Sequence, residues 1–239
     1  MAEKAALVTG ASRGIGLAIA EALAADGYAL TIAARKPGPL AQTAAALTAR
    51  GYEVADHAVD AADEEALKAL VAAHADRYGR LDVLVNNAGV GIGAAAGEHA
   101  TKFVDMQLGV NLRAIVLMYR ECLPLLRESG REGGADVINL ASISGRSPQP
   151  WLSVYSATKA AVMAYTVAMN KELATDGIRS VALAPGFVDT DMTAFVREQV
   201  EPEQMIRPAD LAAAVRFVIS LSRACVIPEI VFERPGETF

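Results

Sequence analysis

The stretch Thr9-Gly10-Ala11-Ser12-Arg13-Gly14-Ile15-Gly16 decides how this chain is read. It closes an apolar run, Ala5–Thr9, and opens a segment of helical spacing, Ile15–Ala25. Glycines at 10, 14 and 16 let a backbone turn tightly and approach a phosphate closely. The start of the helix then offers free N–H groups and a favourable dipole. Gly10, Ser12, Arg13, Gly14, Ile15 and Gly16 are therefore candidate cofactor contacts. The spacing is one residue looser than the G-x-G-x-x-G fingerprint, and a turn that serves packing alone is the competing reading.

Outward from that turn, the order of strand, turn and helix repeats. Apolar, strand-like runs lie at Ala5–Thr9, Ala29–Ala33, Tyr52–Val59, Leu81–Val85, Asp136–Leu140, Arg179–Leu183 and Glu229–Phe232. Helical spacing recurs at Glu64–Tyr78, Thr101–Glu128 and Val154–Ala174, and Pro124 is expected to kink or break the second of these. Near-continuous apolar strands alternating with helices imply an α/β fold: a doubly wound, mostly parallel, seven-stranded sheet covered on both faces. No repeat, low-complexity block or linker interrupts the pattern, so one domain over residues 1–239 is expected.

Composition agrees. The 239 residues are 53% hydrophobic and 21% charged, with 19 Gly and 10 Pro, which excludes a disordered or fibrous chain. A net charge of −6 argues against a nucleic-acid binder. No apolar run is long enough to span a membrane, and the N-terminus lacks the apolar core of a secretion signal. Cys122 and Cys225 are isolated thiols with no metal-ligand or disulfide pattern. A cytoplasmic location and no metal are expected. His57, His74 and His99 match no ligand spacing and read as surface residues.

The second strand ends Ala33-Ala34-Arg35-Lys36, without the carboxylate that would accept from an adenosine ribose hydroxyl. Arg35, with Arg13, instead suits a 2′-phosphate through paired donors, so NADPH is expected over NADH. The alternative is that both arginines point into solvent. Asp60, after the third strand, could accept from an adenine amino group or cap a turn before the helix near Asp63.

Tyr155 and Lys159 are four residues apart in a helical stretch and share one face. A phenol of ordinary pKa is a poor proton shuttle at neutral pH. Bringing it near 7 takes about 4 kcal/mol, which one ammonium about 4 Å away supplies at an effective dielectric of about 20. By itself the Tyr–Lys pair is a weak signal.

The full set of motifs resembles the short-chain dehydrogenase/reductase family in its short, single-domain, Rossmann-fold branch. The set comprises the Thr9–Gly16 turn, Asn86-Asn87-Ala88-Gly89, Asn111, Ser142, Tyr155 with Lys159, and Pro185-Gly186-Phe187-Val188-Asp189-Thr190. The resemblance implies an NADPH-dependent oxidoreductase that interconverts a carbonyl and an alcohol. Tyr155 would be the acid or base, Ser142 would hold the substrate oxygen, and Lys159 would bind the nicotinamide ribose and lower the Tyr155 pKa. Asn111 would hold a relay water, or be a buried amide satisfying backbone. Thr190 and Val188, with Pro185 and Gly186, would fix the carboxamide, although Thr190 could simply cap a helix. Asn87, Ala88 and Gly89 would pass under the adenosine side, and Asn86 reads as structural. Ser142 could also belong to an ordinary polar turn.

Substrate walls are expected from Gly91–Ala96, Ile143–Trp151 and Phe187–Val200. Ser144, Gln149, Trp151, Phe187, Met192 and Phe195 are the candidates, with Phe195 alternatively in the core. An apolar pocket suits a neutral ketone or aldehyde of small to medium size. A 3-oxoacyl thioester on an acyl carrier protein is the second reading. The ketoacyl reductases of the family tend to carry a basic docking residue where this chain has Asp176, and a glycine-rich tail that it lacks; Arg127 and Arg131 keep that reading open. A non-catalytic NADPH sensor, or a lyase or isomerase without net redox, comes behind. The family also tends to have Asn where this chain has Val181, a departure with no assigned consequence. The resemblance implies a homodimer or homotetramer, and Ala160, Met163 and Val167 fit either that interface or an internal face.

Overall fold

The computed structural model describes residues 3–236. Its strands are β1 (Ala5–Thr9), β2 (Ala29–Ala34), β3 (Val54–Ala58), β4 (Val83–Asn86), β5 (Ala135–Leu140), β6 (Ile178–Pro185) and β7 (Glu229–Phe232). They form one sheet in the order β3-β2-β1-β4-β5-β6-β7, and every pairing is parallel rather than mostly so. The chain builds outward from β1 to β3, crosses back to place β4 on the other side of β1, and builds outward again to β7. Loops leaving β1 and β4 therefore diverge, opening a crevice at their carboxyl ends, where open α/β sheets bind ligands.

The helices are α1 (Gly14–Ala25), α2 (Pro37–Ala49), α3 (Glu64–Tyr78), α4 (Thr101–Leu108), α5 (Ala114–Glu132), α6 (Ser153–Glu172) and α7 (Pro208–Ser220). Alternate strand residues face opposite layers. Ala6 and Val8 of β1 pack with Ile19 and Leu23 of α1, Leu40 of α2 and Val215 of α7. Leu7 points the other way, toward Leu67 of α3, Met118 of α5 and Val162 of α6. Val181, the departure from the family pattern, is buried in the first of these layers. At the far end of the sheet, buried Arg179 pairs with Asp136 (Nε–Oδ1 2.8 Å) and donates to four carbonyls between Val218 and Cys225.

Three expectations need correction. The long helix beginning at Thr101 is interrupted by a π-helical turn, Gly109–Arg113, rather than at Pro124. Pro124 lies exposed within α5, on a side where water can meet the carbonyl that its ring deprives of a donor. The fourth strand starts at Val83, not Leu81. The Asp82 carboxylate accepts from the Ala5 N–H and from Arg80, and so holds that approach as a turn.

The third correction is His74, which is fully buried. It lies on the inner stripe of α3 with Leu67, Leu70, Val71 and Tyr78. Nε2 faces the Arg80 carbonyl at 2.9 Å and must donate, so Nδ1 accepts from the Thr31 hydroxyl at 2.7 Å. Burial lowers its pKa from 6.5 to about 4. The unfolded chain thus takes up the proton first, and this contribution is complete above pH 6.5 and lost as pH falls toward 4. The difference is worth about 3 kcal/mol. Urea melts of wild type and His74→Gln from neutral pH down to about pH 4.5 should show a shallower acid loss in the variant. Equal slopes would contradict the assignment.

Among the described residues no helix is long and apolar enough to cross a membrane, and no group of His, Cys, Asp or Glu is arranged to hold a metal ion.

Candidate active site

The glycine turn and the β4 loop are laced together at the crevice. Asn87 Nδ2 donates to the carbonyls of Thr9 and Gly10, both at 3.0 Å. The N–H groups of Asn87 and Ala88 donate to Thr9 Oγ1 at 3.0 and 3.1 Å. Gly10 and Gly14 have φ of +67° and +58°. At Gly16 a Cβ would stand 2.4 Å from the Gly10 carbonyl oxygen, so the first turn of α1 closes onto the end of β1 only without a side chain.

Arg13 immediately precedes α1. Its Nη1 donates to Asp191 Oδ2 at 2.7 Å, bridging the glycine turn to the segment after β6, so it does not simply face solvent. Arg35 is exposed at the end of β2. Asp60 accepts from the Ala62 N–H at 2.9 Å, and Asp63 caps α3. The turn reading of Asp60 is therefore realised. Thr190 caps a 3₁₀ turn, Asp191–Val196, in a reciprocal box with Thr193, and its methyl approaches Gly14. Val188 is buried and bridges to Ile206.

Ser142, Tyr155 and Lys159 meet beyond the end of β5. Ser142 heads the 3₁₀ turn Ile143–Gly145, where its Oγ accepts from the Ser144 N–H at 3.2 Å and lies on the side of Tyr155, whose ionised form it favours. Both residues of the α6 pair face the crevice. Tyr155 is half-buried, and Lys159 is buried beside Gly89 with Nζ 5.7 Å from the Tyr155 ring centre. Nζ donates to the Leu140 carbonyl at 2.6 Å.

The electrostatics differ from expectation. Burial raises the Tyr155 pKa above its ordinary value, against the influence of Ser142, which lowers it. Burial also pulls Lys159 down to about 8. Desolvation, which penalises the charged form of each group, outweighs the attraction that sequence arithmetic gave to the ammonium.

Asn111 is fully buried in the π-helical turn. Its Oδ1 accepts from the Val90 N–H at 2.8 Å, and its two Nδ2 hydrogens go to the Val90 carbonyl (2.9 Å) and Thr158 Oγ1 (3.1 Å). The backbone-satisfying alternative describes its side chain. Asn86 is structural as expected, bonding Asn139 across to β5 at 2.9 Å.

The substrate candidates divide. Trp151 and Phe195 meet edge to face, with centroids 6.3 Å apart. Phe195 is 59% exposed, which removes its core alternative. Met192 is also exposed, and Ser144 is buried beside Ser142. Phe187 lies under the Arg234 guanidinium, and Gln149 turns back onto the Ser147 carbonyl. Arg127 pairs with Asp176 at 2.9 Å and Arg131 with Glu128 at 3.5 Å. Of the proposed oligomer face, Val167 is exposed, while Met163 packs against the core.

Three residues went unassigned in the sequence, and a fourth, Gly93, was read only as part of the Gly91–Ala96 wall. Thr9 and Thr158 are hydrogen-bonding hubs inside motifs that were already recognised, and Asp191 follows Thr190 directly. Gly93 has the clearest signal, a second glycine two residues after Gly91 in the loop beyond β4.

A family model described as short chain dehydrogenase matches residues 4–201. The chain belongs to the short-chain dehydrogenase family. This short-chain dehydrogenase is an oxidoreductase of the carbonyl/alcohol class. It is 42% identical over 201 residues to a Streptomyces violaceoruber protein assigned as ketoacyl reductase 1 of the granaticin polyketide synthase, covering 82% of this chain and 72% of that one. An alcohol dehydrogenase from Thermococcus sibiricus, solved with 5-hydroxy-NADP, superimposes with a TM-score of 0.88 at 30% identity over 98% of both chains. A variant of actinorhodin polyketide ketoreductase, solved with NADPH, gives 0.86 at 32% identity over 97% of each.

Proposed function

We propose that the protein acts as one domain over residues 1–239, reducing a neutral ketone or aldehyde to the alcohol with NADPH, and that it also runs the reverse oxidation. The observation that carries this reading is the convergence of Ser142, Tyr155 and Lys159 at the end of β5, with the Lys159 ammonium 5.7 Å from the Tyr155 ring centre. The residues present fit the cofactor. Gly10, Ser12, Gly14, Ile15 and Gly16 leave bare backbone at the start of α1, the end of β2 carries no carboxylate, and Arg13 and Arg35 supply cations for a 2′-phosphate. Asn87, Ala88 and Gly89 would line the adenosine side, and Pro185, Gly186, Val188 and Thr190 the nicotinamide side. Asp60 can still reach an adenine with the carboxylate oxygen its turn leaves over.

Bound NADPH would supply the hydride to the carbonyl carbon. Ser142 holds the substrate oxygen where negative charge develops, and Tyr155 gives that oxygen its hydroxyl proton. A phenol held above its ordinary pKa keeps this proton at neutral pH, which suits the reductive direction. Lys159 would bind the ribose hydroxyls and stabilise the phenolate that remains. With the Asn111 amide committed to Val90 and Thr158, any relay water falls to its main-chain carbonyl, within the π-helical turn.

A 3-oxoacyl thioester is the second substrate reading, and the granaticin relative supports it. The pairing of Arg127 and Arg131 with carboxylates weighs against docking of an acidic carrier. Loss of NADPH absorbance across a panel of ketones, aldehydes and β-ketoacyl thioesters decides between the two. Turnover with no member would favour the sensor or non-redox readings. A homodimer or homotetramer in the cytoplasm completes the proposal. It is supported by Leu108, Val116 and Val167 exposed on α4, α5 and α6, and by two free thiols.

Cofactor choice has its own test. Ala34→Asp with Arg35→Ala exchanges a phosphate partner for a ribose acceptor, and charge-assisted hydrogen bonds are worth about 1.5–3 kcal/mol. The NADPH-to-NADH ratio of kcat/KM should fall by about tenfold or more. An unchanged ratio would place the 2′-phosphate elsewhere.

A further inference from the structure

Trp151 is the only tryptophan in the chain, and it is placed against ordinary expectation. Its φ of +69° makes it the one non-glycine residue with positive φ among those described. A bulky residue adopts that backbone only when its surroundings impose it. Here the Ala94 N–H donates to the Trp151 carbonyl at 2.9 Å. The strained backbone does not serve to bury the indole, which is 55% exposed, as is its partner Phe195 at 59%.

The indole instead lies against Gly93. A Cβ there would stand 2.3–2.5 Å from Cδ2, Cε2 and Cζ2 of the ring, so only glycine admits it. Phe195 braces the indole edge to face. Two residues back, Gly91 faces the Tyr155 ring, with a Cβ position 3.6 Å from its Cδ2 and Cε2. Two residues of extended chain span at most about 7 Å. The aromatic surface therefore begins one short chain step beyond the glycine that faces Tyr155.

We propose that Trp151, seated on Gly93 and braced by Phe195, is a specificity-determining residue that receives a flat aromatic or conjugated ring of the substrate. This rests on the carbonyl-reductase reading and narrows its substrate class to ketones that carry such a ring. A planar ring can stack on the indole face, whereas a puckered saturated ring of the same skeleton touches it only in part.

Because Trp151 is the sole tryptophan, its emission reports the shelf independently of turnover. The probes are tetralone, whose carbonyl is conjugated to a benzene ring, and decalone, its saturated counterpart. Titrated into the full-length protein, with correction for ketone absorption, tetralone should quench the emission saturably with an apparent Kd about tenfold below that for decalone. In turnover with NADPH, the tetralone-to-decalone ratio of KM values should move toward unity in Trp151→Ala and in Gly93→Ala, the second of which displaces the indole without removing it.

If tetralone leaves the emission unchanged while both ketones turn over with similar KM values, the shelf is overturned and the reductase reading stands. Saturable quenching by tetralone with no turnover of either ketone would overturn the reductase reading and leave the shelf in place. A KM ratio untouched by both substitutions would also overturn the proposal.

Discussion

Replacing Tyr155 with Phe is expected to lower the rate of carbonyl reduction about a thousandfold, since a positioned general acid contributes roughly 10²–10⁴-fold. The hydroxyl removed is the one that burial keeps protonated. The ring itself packs beside Gly91 and in front of Lys159, and phenylalanine retains that packing. Affinity for NADPH, followed by cofactor fluorescence, should therefore stay within about threefold, a loss of under 1 kcal/mol. Near-wild-type turnover in the variant would remove Tyr155 from the acid role. Loss of cofactor binding with an intact fold would make its role one of binding.

Gly16→Val should act on the other half of the crevice. The Cβ position at Gly16 lies 2.4 Å from both the Gly10 carbonyl oxygen and Asn87 Nδ2. Asn87 could give way, but Gly10 is backbone and is held by that same amide. A branched side chain must therefore push α1 off the end of β1. Overpacking of this kind costs about 1–3 kcal/mol. Calorimetry should show Tm lowered by about 2–12 °C. NADPH affinity should fall by about ten- to a hundredfold, because the phosphate-facing N–H groups move with the helix. Unchanged affinity would mean that the cofactor does not use this turn.

Much of this fold was legible because strand and helix signals are local. Apolar runs ending in glycine or Asn set β1 and β4, and the helical stripe from Glu64 to Tyr78 was placed with the bounds α3 has. His74 lay on that same stripe, three and seven residues beyond Val71 and Leu67. The spacing marked it as buried, and only its residue type suggested the surface. The break near Asn111 was not legible. It rests on contacts with Val90 and Thr158, 21 and 47 residues away in sequence, which fix the amide and hold the turn in π form.

The catalytic set was recognisable from its motifs, but its electrostatics were not. An ammonium near a phenol suggested a lowered Tyr155 pKa, and only the folded chain brings the burial that raises it. The substrate side was the least legible. Phe195 could have been core by composition; it lies exposed against Trp151, whose carbonyl accepts from the Ala94 N–H 57 residues away in sequence.

The central claim is hydride transfer to a carbonyl carbon. The most direct measurement uses NADPH carrying deuterium at both hydrogens of the nicotinamide ring carbon that gives up hydride. A ketone from the panel is the acceptor, and the alcohol is analysed by NMR and mass spectrometry. One deuterium on the carbinol carbon for each NADPH consumed is the expected result. Alcohol without label, or product formed while NADPH stays unconsumed, would contradict the account.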